Sequence, residues 1–371
     1  MKKSLKFLKC FSAVAVAVCA GVGAFLTLHP TFGGKPDAES LAKIRASSAF
    51  DGTRFVNLEP TMNMTVKERE DFSVWDWVLN VVNPPPNKQP SEPLPTLALD
   101  VSQLQNGSLA WFGHSTVLFQ TDNQRFLIDP VFYRASPVPL TGKPFAMTHT
   151  PTIDELPPID AVLISHDHYD HLDYNAIREL DSKTQHFYVP LGVKAHLQRW
   201  GIADSKITEM DWHEQVKQGN ATITLVPSRH FSGRTWGADS PTLWGGYVVK
   251  SPDLSLYFSG DSGYGTHFAK HIAQYAPFDV VLMENGAYNK QWALIHQQPE
   301  ESFQAAKDVK ATLLVPIHWA KFDLAYHAWK EPIERLLNSN TPPQMQIATP
   351  KIGQVFHFSQ PPTEKWWESV K

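Results

Sequence analysis

The stretch LISHDHYDHLD, Leu163 to Asp173, holds three histidines and three aspartates in eleven residues. It overlaps AVLIS, a continuous apolar run that reads as a buried strand. Polar groups at the end of a buried strand are costly unless something pairs with them. His166 and His168 stand two apart in an extended segment, so they point the same way. Asp170 and His171 fall at the entry to a helix expected from Tyr174. The chain turns between the two pairs, so two neighbouring ligand sets are expected. Imidazole and carboxylate suit zinc or another borderline divalent ion.

One cluster cannot fill two coordination shells. Further ligands should follow other strands, and the sequence supplies them. VPSRHFSGR puts His230 past an apolar run, LYFSGDSGYG puts Asp261 past another, and LLVPIHW does the same for His318. A lone histidine in such a place is usually structural. The repetition of the pattern points to a shared site.

The strand runs start after Leu99. SLAWFG, STVLFQT and QRFLIDP read as consecutive strands with tight turns. AVLIS, HFYVP, ATITLVPS, LWGGYVVK, SLYFSGD, DVVLMEN and ATLLVPIHW continue the style. Helical patterns fall at Tyr174–Leu180, Val193–Trp200, His267–Tyr275 and Pro299–Val309. Strands mixed with helices predict an α/β fold of two packed sheets with helices on both outer faces.

The 371 residues carry a net charge of -4, which leaves no basic excess for nucleic acid. Both cysteines, Cys10 and Cys19, lie near the start, so the rest has no thiolate ligand, disulfide or cysteine nucleophile. Lys2, Lys3, Lys6 and Lys9 precede an uncharged apolar run, Phe11 to Leu28. That run suits a membrane helix, which needs about 17–25 residues. The lysines predict that the chain beyond the run lies outside the cytoplasm, in the periplasm. A cleaved signal peptide is the alternative.

Four segments are expected: an anchor or signal over residues 1–30, an extension over 31–100, a catalytic domain over 101–360 and a tail over 361–371. The extension includes VKEREDFSVWDWVLNVV, whose Phe72, Trp75, Val78 and Val82 share one helical face. NPPPNKQPSEPLP, Asn83 to Pro95, then reads as a stiff extended arm.

From Leu104 to Phe358 the chain resembles the metallo-β-lactamase superfamily. The shared signature is His-x-His-x-Asp-His, then a histidine, an aspartate and a final histidine. His166, His168, Asp170, His171, His230, Asp261 and His318 supply it in order. The resemblance implies an αββα sandwich of two mixed sheets and two Zn2+ ions, other divalent metals being alternatives. It implies that His166, His168 and His230 hold the first ion, that Asp170, His171 and His318 hold the second, and that Asp261 bridges them. WFGHSTVLFQ, LWGGYVV, SGDSGYG, PIHWAKFDLAYHAW and GAYNKQWALIHQQPEES are similar to the N-acylphosphatidylethanolamine phospholipase D branch. That match implies a substrate-contacting or proton-transferring role for His296, and expected catalytic residues Asp170 and His296. Gln291 replaces an arginine of the lipid enzyme, and the spacing from Trp292 to His296 is two residues shorter.

A pair of divalent ions about 3.5–4 Å apart can hold a bridging hydroxide at neutral pH. His114, Ser165, Asp167, Tyr264 and His327 are candidates for supporting or substrate contacts. His186, His196, His213, His267 and His271 are expected at the surface or in packing. Trp236, Trp244, Trp292 and Trp319 are candidates for an apolar groove or for the core. The leading expectation is a zinc phosphodiesterase acting on a phospholipid. A lactonase or other ester hydrolase of the ascorbate-phosphate lactonase-like branch is the alternative, and a non-catalytic envelope protein a third. Nothing in the sequence fixes the oligomeric state.

Overall fold

The computed structural model of the protein describes residues 16, 20–64, 83–138, 141–235 and 239–370. The helix expected over residues 66–82 and Trp236 lie outside them, as do residues 11–15 and 17–19 of the N-terminal apolar run. Among the described residues no helix is long and apolar enough to cross a membrane. The segment over residues 20–28 is helical.

The first sheet begins with an antiparallel meander of β1 (Ser108–Trp111), β2 (Val117–Thr121) and β3 (Gln124–Ile128). It continues in parallel through β4 (Ile159–Leu163), β5 (Thr184–Pro190) and β6 (Ile207–Met210). The second sheet repeats the plan. β7 (Gln215–Gln218), β8 (Ala221–Val226), β9 (Gly246–Lys250) and β10 (Ser255–Phe258) are antiparallel. β11 (Phe278–Glu284), β12 (Ala311–Ile317) and β13 (Gln346–Ile347) then run parallel to β10. β14 (Val355–His357) returns to the first sheet and closes its edge against β1.

Alternation along the strands shows which face each residue serves. Leu109, Trp111, Val117, Phe119, Phe126, Ile128, Ala161 and Leu163 join a core shared with the second sheet. Their neighbours Ala110, Phe112, Leu118, Leu127 and Val162 join a separate cluster with Ala176, Ile177, Leu180 and Leu197 from outer helices. Covering both faces explains the unbroken apolar runs: a half-exposed strand would alternate with polar residues.

The expected helices appear at Tyr174–Leu180, Lys194–Arg199 and Pro299–Asp308. His267–Tyr275 is instead a π turn, Phe268–Ile272, followed by a 3-10 turn, Ala273–Tyr275. The extension lies on the sandwich, with Ile44, Phe55 and Leu94 inside the shared core. Leu94 and Thr96 bridge to Met147 and Ile352, so the end of the proline-rich arm packs against the sandwich. At the other end of the chain Trp366 and Trp367 are buried in the same core.

Candidate metal centre

The polar residues that follow the strands meet at one edge of the sandwich. His166 and His168 follow β4, Asp261 follows β10, and His318 follows β12. His230 sits in the long connection between β8 and β9. The turns are tight: His114, Asp129 and His318 have φ of 53°, 39° and 67°. A left-handed non-glycine residue costs on the order of 1–3 kcal/mol and persists only where its surroundings fix it.

The cluster has two ends. At one, Nε2 of His166 and Nε2 of His230 lie 2.9 and 3.2 Å from Nδ1 of His168. Three nitrogens bound to one zinc at about 2.0–2.1 Å would stand roughly 3.3 Å apart, close to that spacing. At the other, Asp261 Oδ2 lies 3.1 Å from Nε2 of both His171 and His318. Asp170 Oδ2 lies 3.5 and 3.6 Å from the same two nitrogens. Asp261 Oδ2 also stands 3.9 Å from His166 Nε2 and 3.7 Å from His230 Nε2. One carboxylate oxygen therefore faces both histidine sets.

The buried atoms fit cations. Nε2 of His171, Nε2 of His318 and Oδ1 of Asp261 are buried without a hydrogen-bond partner. Such groups are costly to bury unsatisfied. The electrostatics differ between the ends. Burial works against a charged His318, yet Asp261 and Asp170 overcome it and push it up to about 10. Burial opposes His171 likewise, and Asp261 and Asp170 carry it well above its usual value. This end is built to stabilise added positive charge. Burial, reinforced by neighbouring histidines, holds His166 well below its usual value, and burial dominates over Asp261 to do the same for His230. Those imidazoles stay neutral, the form that ligates.

Outer partners orient the rings. Asp129 Oδ2 stands 2.7 Å from His171 Nδ1 and accepts from the Ser165 hydroxyl. Ser165 Oγ also lies 2.9 Å from His166 Nδ1. His230 Nδ1 donates to the Ile295 carbonyl and His318 Nδ1 to that of Gly286. Asp167 points away from the cluster, accepting from Gly233 N at 2.7 Å and lying 3.2 Å from His196 Nε2. His114 Nε2 stands 3.0 Å from Asp170 Oδ2, and burial, with His318 nearby, lowers the His114 pKa to about 3.

The sequence matches the model of the Beta-lactamase superfamily domain over residues 124–319. This chain belongs to the metallo-β-lactamase superfamily. Proteins similar to it include an uncharacterized protein of Mycobacterium tuberculosis, 38% identical over 96% of this chain and 97% of that one. The N-acyl-phosphatidylethanolamine-hydrolyzing phospholipase D 1 of Caenorhabditis elegans is 31% identical over 62% of this chain and 69% of that one. Among solved structures, an isothiocyanate hydrolase from Delia radicum gut bacteria superposes with a TM-score of 0.53 at 19% identity, over 67% of this chain and 98% of that one. The chain is thus a metal-dependent hydrolase of this superfamily.

Beside the metallo-β-lactamase centre a cavity of about 500 Å³ is lined by His168, Asp170, Asp261, His296 and His318 on its polar side. Met64, Phe231, Trp292, Ile295 and Leu324 form its apolar side. His296 Nδ1 pairs with the buried carboxylate of Glu284. Burial raises the Glu284 pKa, while His296 acts the other way. Other expected residues lie farther out. Tyr264 donates its hydroxyl to Asp308, and His327 accepts from the Ala287 N–H without reaching a ligand. Trp244 and Trp319 are core residues; Trp292 alone of the expected tryptophans lines the cavity among the described residues. His196 and His267 are buried and hydrogen bonded, whereas His186 is partly exposed and His213 exposed. Two site residues escaped the sequence reading, Asp129 and Glu284. Each ends an apolar strand run, LID and LME, and the strand-end rule applied to the other ligands would have found both.

Proposed function

We propose that the protein is a dinuclear zinc phosphodiesterase of phospholipase D type, acting on N-acylphosphatidylethanolamine or a related phospholipid. The observation that carries this reading is Asp261 Oδ2, placed between the His166–His230 pair and the His171–His318 pair. His166, His168 and His230 would hold one ion, Asp170, His171 and His318 the other, and Asp261 both. Bound there, the ions supply Lewis acidity and lower the pKa of coordinated water to about 7.

The chain's own groups do the rest. The half-buried His168 and Asp170 form the floor on which the cavity opens. Glu284 holds His296 by Nδ1, leaving Nε2 as the nitrogen that can pass a proton to a leaving oxygen. Phe231, Trp292, Ile295 and Leu324 give an acyl chain an apolar wall and keep bulk water away. No lysine or arginine among the described residues lines the cavity, so offsetting the phosphate charge would fall to ions held by the histidines and aspartates. The likeness to the phospholipase D of Caenorhabditis elegans supports a lipid phosphodiester. In the same reading the lysine-flanked run tethers the chain to a membrane, with the hydrolase on the periplasmic side.

The test is an assay of the purified chain on phospholipid phosphodiesters and on lactones. Metal-dependent release of N-acylethanolamine from N-acylphosphatidylethanolamine supports the proposal. Turnover of lactones alone would replace it with the ester-hydrolase reading.

A further inference from the structure

His230 follows β8 by four residues, as His166, His168, Asp261 and His318 follow their own strands closely, but its main chain is also gripped from outside the sheets. His230 lies in the connection between β8 and β9, whose described residues have no regular secondary structure. A ligand on so long a connection needs a clamp from elsewhere.

The clamp comes from the N-terminal extension, far away in sequence. The Asn57 side chain donates through Nδ2 to the His230 carbonyl at 2.7 Å. Its Oδ1 accepts from the His230 N–H at 3.0 Å. One planar amide thus engages both main-chain polar groups of a single ligand residue. The ring is fixed separately, Nδ1 by the Ile295 carbonyl, so Nε2 faces the other imidazoles. The same strip of extension is itself fastened nearby. Phe55 N donates to the Ser240 carbonyl, and Arg229 donates to Thr61 Oγ1 and the Pro60 carbonyl.

We infer that Asn57 is a positioning residue for His230, and that the extension over residues 55–61 sets how tightly the three-histidine end holds its ion. The inference rests on the two-metal reading of the site. It makes the extension a part of the hydrolase centre and not only a spacer before it.

The test compares the parent chain with Asn57→Ala, Asn57→Asp and Ser40→Ala. Ser40 donates to the buried Glu209 at 2.7 Å, so its loss loosens the extension without touching a ligand. Each protein is loaded with zinc and titrated with a chelator, and its thermal midpoint is recorded. Asn57→Ala should release one equivalent at a chelator concentration about 10–100-fold lower than the parent needs. Asn57→Asp, which keeps the acceptor for the His230 N–H but loses the donor, should fall between. Ser40→Ala should lower the midpoint while keeping the parent's metal affinity. Parent-like retention in both Asn57 variants, or equal metal loss in Ser40→Ala, would overturn the inference and leave the two-metal site standing. A parent that binds no zinc would overturn both.

Discussion

Asp129 Oδ2 stands 2.7 Å from His171 Nδ1, with both groups fully buried. Neither residue meets the cavity through this contact, yet it decides which nitrogen of His171 faces Asp261. Asp129→Ala removes the acceptor and frees the ring. Loss of such an outer partner typically costs about 10–100-fold in metal affinity or activity. Chelator competition should show that loss at one of two sites, with the sandwich still folded by circular dichroism.

Asp261→Ala should do more damage than Asp129→Ala, because it removes the oxygen that faces both histidine sets. Activity and retention of the second metal should fall together. His296→Ala should separate the two properties. Turnover should drop by about 10²–10⁴-fold, the usual contribution of general acid–base catalysis, with metal content kept. Metal loss in His296→Ala would assign the residue to the ligand set instead.

His267 gives a pH test away from the ligands. It is buried against Ser262 Oγ at 3.0 Å, and burial, with Glu59 acting the other way, lowers its pKa to about 3. An unfolded histidine titrates near 6.5. The folded state therefore refuses a proton that the unfolded state accepts. The stability tied to a neutral His267 is complete above about pH 6.5 and is lost as pH falls toward 3, at up to about 1.4 kcal/mol per pH unit. In His267→Gln that part of the acid sensitivity should vanish. Denaturant melts of parent and variant at pH 7, 6 and 5 provide the comparison; parallel declines would contradict the assignment.

How far an N-terminal truncation can go depends on the docking of residues 28–34. Arg199 donates to the Leu28 and Gly33 carbonyls, Trp200 to that of Pro30, and Arg234 to that of Thr31. Gly34 N donates to His196 Nδ1, whose other nitrogen lies 3.2 Å from Asp167. Removal of residues 1–27 should leave the melting temperature and metal content unchanged. Removal of residues 1–34 should lower the melting temperature, since each lost hydrogen bond contributes about 0.5–1.5 kcal/mol and those to charged groups about 1.5–3. With the shorter truncation, turnover of a soluble phosphodiester should hold, and turnover of the same head group in a bilayer should fall if the apolar run is a tether.

The sequence exposed the strands that are buried on both faces, because an unbroken apolar run is their direct consequence. It hid β7, whose Gln215–Gln218 is polar and lies at a sheet edge, and the two- and three-residue strands β13 and β14. His166, Asp261 and His318, candidate ligands that the fold brings together, were legible because each is a polar residue just past an apolar run. His230 was legible as a candidate ligand, but its contact with Asn57 was not: Asn57 is an ordinary residue in a polar stretch, and only the fold brings it to His230. Tyr264 misled because it lies close to Asp261 in sequence, while its side chain turns to Asp308. His196 looked like packing and proved to join the extension to Asp167.

The proposed site holds a pair of metal ions on His166, His168, His230, Asp170, His171, His318 and the shared Asp261. Elemental analysis of the chain purified without chelator measures it directly. Close to two equivalents of divalent metal per chain, zinc foremost, is the predicted result, falling in Asp261→Ala. A folded chain that hydrolyses its substrate at full rate with no bound metal would rule out the dinuclear site.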